Sequence, residues 1–205
     1  MELDLVTAAI VFGAIFLVEL PDKTFIATLV LATRFRPLFV WVGVCLAFLV
    51  QTVVAVSVGG LLAQLPKRPV EVFAALMFLV GGIVLLRGAD RADAEEEETE
   101  EQFAHKGAAT AVGLKAVAVS FSVLFLAEWG DLSQLLTASM VLRFHQPLSV
   151  FVGAFLALAA VSALGALIGR ALLRRVRLAT IRRVGGGVCL LLALLTVLQI
   201  AGAVG

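Results

Sequence analysis

Residues 19–24 read Glu19-Leu20-Pro21-Asp22-Lys23-Thr24, and residues 128–133 read Glu128-Trp129-Gly130-Asp131-Leu132-Ser133. Both stretches lie inside long apolar runs. Each sets a Glu and an Asp three positions apart, with a hydroxyl two positions further on. Sliding the second half over the first at an offset of 109 aligns Phe12, Phe16, Leu17, Glu19, Asp22, Thr28, Arg34 and Phe35 with Phe121, Phe125, Leu126, Glu128, Asp131, Thr137, Arg143 and Phe144, eight identities in 24 positions. One inserted residue changes the offset to 110, and Pro37, Val40, Val42, Gly43, Leu46 and Ala47 then meet Pro147, Val150, Val152, Gly153, Leu156 and Ala157. Apolar composition alone would align Leu with Leu. It would not align two rare carboxylates, an Arg-Phe pair and a Pro, so the halves read as duplicated units, weakest in the last apolar run of each.

Outward from the motifs, the 205 residues are 61% hydrophobic and 15% charged, against about 45–50% and 25% in an average soluble domain. A mean hydropathy of +1.08 excludes a disordered chain, a basic nucleic-acid binder and a small disulfide scaffold. Cys45 and Cys189 lie in apolar stretches and read as small buried hydrophobes. A transmembrane helix takes about 20 apolar residues, and such runs lie at 5–33, 38–64, 70–87, 111–142, 148–169 and 181–202, with Pro37, Pro66, Pro69 and Pro147 at the junctions. The expected fold is an all-α integral membrane protein of six transmembrane helices arranged as two inverted three-helix repeats. Its parts are residues 1–87, an acidic linker at 88–110, and residues 111–205. Three helices per repeat invert the second relative to the first, and proteins built this way bind at the midplane and rock one unit against the other. The pairs Gly43/Ala47, Gly153/Ala157, Ala55/Gly59 and Gly165/Gly169 recur at helical spacing and predict close helix contacts.

The charges are partitioned. Eight acids, Asp90, Asp93, Glu95 to Glu98, Glu100 and Glu101, fall in the linker, and four, Glu19, Asp22, Glu128 and Asp131, fall inside apolar segments. Alternate loops hold twelve basic residues, and the opposite loops hold Lys67, Arg68 and Arg143. The basic side is expected in the cytoplasm, with the linker there and both termini outside. Glu2 and Asp4 precede the first apolar run where a signal peptide would be basic, so that run is expected to be retained.

Each carboxylate in a bilayer costs roughly 2.5 kcal/mol or more, and Lys23 could neutralise only one of the four. A divalent cation supplies the missing charge when bound, and protons supply it when the site is empty. That predicts cation–proton exchange rather than an enzyme or a resident cofactor. The i, i+3 spacing puts both carboxylates of a motif on one face of a helix, and Pro21 and Gly130 predict a kink or unwinding there. Candidate metal ligands are Glu19, Asp22, Thr24, Glu128, Asp131 and Ser133, supported by Lys23, Gln134, Thr28 and Thr137. An all-oxygen set favours Ca²⁺, Mn²⁺ or Mg²⁺ over Zn²⁺ or Cu⁺, and Mg²⁺ sheds water reluctantly. The expected partners are inorganic cations, protons and the lipid bilayer, without nucleic acid; a homo-oligomer is compatible with the sequence. His105 and His145 read as surface loop residues, Trp41 as an interface anchor. Two alternatives are an exporter of a cationic or amino-acid solute and an intramembrane aspartyl protease; a Glu travelling with each Asp suits ion coordination better than a two-carboxylate dyad.

On these two motifs the chain resembles the Gdt-type, or transmembrane protein 165-like, cation/proton antiporters, six-helix proteins with two E-x-G-D-[KR]-[ST] motifs in inverted halves around an acidic cytosolic loop. Glu19, Asp22, Lys23 and Thr24 match the first motif, and Glu128, Gly130, Asp131 and Ser133 match the second. The resemblance implies exchange of Mn²⁺ or Ca²⁺ against protons. With no organelle leader and a short chain, it implies a bacterial member in the inner membrane that exports its cation. Pro21 stands where the first motif has Gly, and Leu132 where the second has a basic residue, so the second site loses a counter-charge.

Overall fold

The computed structural model describes residues 3–20, 23–64, 67–89, 113–173 and 178–201. The acidic linker, Pro21, Asp22 and His105 lie outside the described residues, as does the side chain of Lys23. The described residues form eight helices and no strand: α1 (Leu5–Glu19), α2 (Lys23–Arg34), α3 (Pro37–Leu62), α4 (Lys67–Gly88), α5 (Leu114–Ala127), α6 (Leu132–Phe144), α7 (Pro147–Leu173) and α8 (Leu178–Ile200).

Local chemistry sets several of these boundaries. Asp4 caps α1 by accepting from the Val6 N–H at 2.9 Å and the Thr7 N–H at 3.4 Å, which satisfies donors that the first helical turn leaves open. Pro37 and Pro147 begin α3 and α7, where a missing N–H is harmless and the fixed φ already suits a helix. His145 ends α6 in the left-handed region at φ 53° and is exposed, as expected of a loop residue.

Two of the expected six stretches are single helices long and apolar enough to cross a bilayer, Pro37–Leu62 and Pro147–Leu167. Two more are broken. The first bends by 68° between Leu5–Glu19 and Thr24–Thr33, the second by 72° between Leu114–Ala127 and Leu132–Phe144. In α4 and α8 the apolar segments are shorter, Ala75–Gly88 and Arg183–Leu198. Large apolar side chains such as Leu46, Val53, Leu79, Val84, Leu191 and Val197 are exposed, a surface suited to lipid rather than water. The chain is a helical membrane protein.

Packing runs between the halves rather than within them. α1 lies along α7, α3 along α5, α7 and α6, α2 along α7, and α4 along α8 and α6. The small residues expected to permit close approach do so. A Cβ on Gly43 would collide with the Val117 carbonyl of α5, and one on Gly153 with the Ala8 carbonyl of α1. Gly43 and Gly153 are repeat equivalents, and so are Val117 and Ala8. A Cβ on Gly59 would come within 2.7 Å of the Ala138 carbonyl, and one on Gly165 within 2.8 Å of the Phe25 carbonyl. Backbone therefore touches backbone at four crossings, each joining the first half to the second.

The half-buried Trp41 donates its indole N–H to the Ala159 carbonyl of α7 at 2.9 Å. Arg143 sits in the last turn of α6, half-buried, and donates to the Thr196 hydroxyl of α8.

Candidate cation site

The two breaks bring the motifs together. Glu19 is the last residue of α1, and Glu128 is the C-cap of α5, its N–H donating to the Leu124 carbonyl. Asp131 is the N-cap residue of α6 but makes no side-chain capping bond. Its carboxylate goes elsewhere: one oxygen each from Glu19, Glu128 and Asp131 lie within 4.8 Å of one another. Glu19 is 1% exposed and Glu128 2%, amid a core of Ile15, Phe25, Leu124 and Leu136.

The spacing argument needs a correction. Glu128 and Asp131 do not share one helical face, because one helix ends at Ala127 and the next begins at Leu132, leaving both residues in the break. Gly130 takes φ 77°, a left-handed conformation that glycine adopts without steric penalty, and this turn swings Asp131 back beside Glu128. Pro21 holds the equivalent place, and a pyrrolidine ring fixes φ near −65°. The two motifs therefore cannot share one backbone conformation at this position.

The hydroxyl candidates flank the carboxylates on the opening turns of α2 and α6. Thr24 is fully buried, and its hydroxyl has no hydrogen-bond partner among the described residues. Ser133 is 5% exposed. Thr28 donates to the Thr24 carbonyl at 2.8 Å and Thr137 to the Ser133 carbonyl at 2.7 Å, so these repeat equivalents make the same contact one turn deeper. Gln134 turns to the backbone of the break, its Nε2 donating to the Glu128 carbonyl at 2.8 Å. Trp129 is exposed and packs on Phe125 at 4.9 Å between ring centroids, outside the carboxylate cluster. Asp22 lies outside the described residues.

One residue at the site escaped the motif reading. Gln51, 2% exposed in the middle of α3, donates from Nε2 to the Phe125 carbonyl at 3.1 Å. The signal was present: an amide beside Thr52 is unusual in a 26-residue apolar helix. It stood outside the repeat, since Val161 occupies the equivalent position.

Chemically, the cluster offers only oxygen. Three carboxylates this close in an apolar core favour a bound cation, or protons in its absence. Oxygens on opposite sides of a Ca²⁺-sized ion are about 5 Å apart, from metal–oxygen distances of about 2.3–2.6 Å, so the observed spacing suits such an ion.

A family model described as "Divalent cation/proton antiporter GDT1" matches residues 7–93 and 116–203, one stretch in each half. GDT1-like protein sll0615 of Synechocystis is 30% identical over 176 residues, covering 82% of this chain and 85% of that protein. Protein PAM71, chloroplastic, of Arabidopsis thaliana is 32% identical over 207 residues, 92% of this chain and 56% of that protein. GDT1-like protein 1, chloroplastic, of Oryza sativa subsp. japonica is 31% identical over 212 residues, 94% of this chain and 62% of that protein. The chain thus spans less than two thirds of the length of these two plant proteins. No solved structure matches.

Proposed function

Because the chain belongs to the GDT1 family of divalent cation/proton antiporters, we propose that it exchanges Mn²⁺ and/or Ca²⁺ for protons and exports the cation from the cytosol. The observation that carries this reading is the group of buried Glu19 and Glu128 with half-buried Asp131, drawn from both halves and gathered within 4.8 Å. Asp22 is the fourth carboxylate of the same site, with Thr24 and Ser133 as hydroxyl ligands. Protons occupy the carboxylates when the cation leaves, and the two compete for the same oxygens.

The chain crosses the membrane six times, as inverted repeats of residues 1–87 and 111–205 around a cytoplasmic linker at 88–110. Both termini face outward from a bacterial inner membrane. The matched crossings at Gly43 and Gly153 support the repeat.

The test is ion flux in proteoliposomes carrying a pH dye, comparing Mn²⁺, Ca²⁺ and Mg²⁺. Entry of Mn²⁺ or Ca²⁺ should drive protons out. Flux without proton movement would identify a channel, and peptide cleavage without flux would identify a protease.

A further inference from the structure

The bend between α5 and α6 has no regular secondary structure of its own, yet it sets the directions of Glu128 and Asp131. Its own backbone closes it loosely, the Asp131 N–H donating to the Glu128 carbonyl at 3.3 Å, and two carboxamides brace it. The α5 helix ends at Ala127, so the Phe125 carbonyl has no helical N–H to accept from; Gln51 of α3 donates to it at 3.1 Å. Inside the turn, Gln134 works with both ends of its amide. Its Nε2 donates to the Glu128 carbonyl at 2.8 Å, and its Oε1 accepts from the Gly130 N–H at 3.2 Å.

We propose that Gln134 is a positioning residue for cation exchange: its carboxamide staples the Glu128–Gly130 turn to α6, so that Glu128 and Asp131 face Glu19 together. The proposal rests on the exchange reading above and assigns Gln134 to the backbone of the bend rather than to the ion. Gln134 stands in the first turn of α6, a rigid frame, and each of its two bonds fixes one peptide of the left-handed turn. Neither bond can form at the equivalent place in the first half. There Phe25 replaces the amide, and Pro21 has no N–H to offer. The staple is thus a property of the second half. It makes the two motifs unequal in how their carboxylates are held, although their acids match.

The test compares wild type with Gln134→Met, which keeps the length and removes both hydrogen bonds, and with Gln134→Asn, which keeps the amide one methylene short. Each is purified as monodisperse protein, titrated with Mn²⁺ by calorimetry, and assayed for Mn²⁺-driven proton efflux. Losing a group that orients a ligand weakens metal affinity about 10- to 100-fold. In Gln134→Met both the calorimetric Kd and the transport KM should therefore rise at least tenfold, with a smaller change in Vmax, and Gln134→Asn should fall between. A Gln134→Met protein with wild-type Kd and KM would overturn the proposal. If that variant is not monodisperse, Gln134→Asn decides: weakened Mn²⁺ binding supports the staple and wild-type binding overturns it. Wild-type protein that binds Mn²⁺ without moving protons would instead defeat the exchange reading, while the calorimetric ratio would still decide the staple.

Discussion

Glu19 and Glu128 end different helices 109 positions apart in the chain, yet each contributes an oxygen to a group gathered within 4.8 Å, with Asp131 as its third member. They align at an offset of 109, so the proposed site lies where two similar motifs meet. Neither motif forms it alone.

Neutralising either glutamate should therefore have the same effect. Glu19→Gln and Glu128→Gln are each expected to lower Mn²⁺ affinity by about 100-fold or more, at or beyond the upper range for loss of a supporting group. The double variant should be little worse than either, because residues acting as a unit are not additive. Calorimetry and proteoliposome flux check both statements, and a fully additive double variant would place the two residues in separate sites.

Cation binding should also register as stability. A ligand at 100 times its Kd adds about 2.7 kcal/mol to the folded state. Mn²⁺ should raise the melting temperature of wild type in detergent and leave that of Glu128→Gln unmoved. An equal rise in both would mean that the metal binds elsewhere.

The glycine crossings predict paired damage. Gly43→Ala and Gly153→Ala push a methyl into the carbonyls of Val117 and Ala8, and such overpacking typically costs about 1–3 kcal/mol. Gly60, in the same helix as Gly43, has nothing within 4 Å of a built Cβ, so Gly60→Ala should be neutral or stabilising. Thermal unfolding of the three variants checks the contrast.

Gly130→Ala forces a side chain into φ 77°, a strain of roughly 1–2 kcal/mol, and should reduce transport. Gly130→Pro cannot adopt that angle at all and should abolish it. An active Gly130→Pro protein would show that the second bend tolerates the residue found in the first.

The cap of α1 carries a pH signature. Hydrogen bonds from the Thr7 hydroxyl, then from the Val6 N–H, hold the half-buried Asp4 carboxyl below its ordinary value of 3.8. A depressed folded pKa means that its contribution is complete above 3.8 and fades as pH falls through the lower folded value. Asp4→Ala should thus melt below wild type at neutral pH, and the gap should close in stronger acid. A gap constant with pH would mean that the charge of Asp4 is irrelevant to the cap.

The sequence was most legible where rarity and repetition coincided. Buried carboxylates, a recurring Gly43/Gly153 and a Pro at the start of α3 and of α7 are signals that apolar composition cannot produce. It was less legible at the bends. A spacing of three residues looks the same on a continuous helix as across a left-handed turn, and the angle at Gly130 separates the two cases. Gln134 illustrates the same limit: its residue type suits a ligand and a backbone clamp equally, and its two bonds are visible only once the turn is built. Gln51 carried no repeat signal, since its task is to satisfy one carbonyl that the break at Ala127 leaves open.

The cross-packing of the two halves has a consequence for how such a chain can be taken apart. α1 finds its neighbour in α7, α3 in α5, and α4 in α8, so a fragment ending near residue 89 carries surfaces made for the fragment beginning near residue 113. Severed between those points, the protein should yield two pieces that are each unable to hold a fold alone but complement one another when synthesised together.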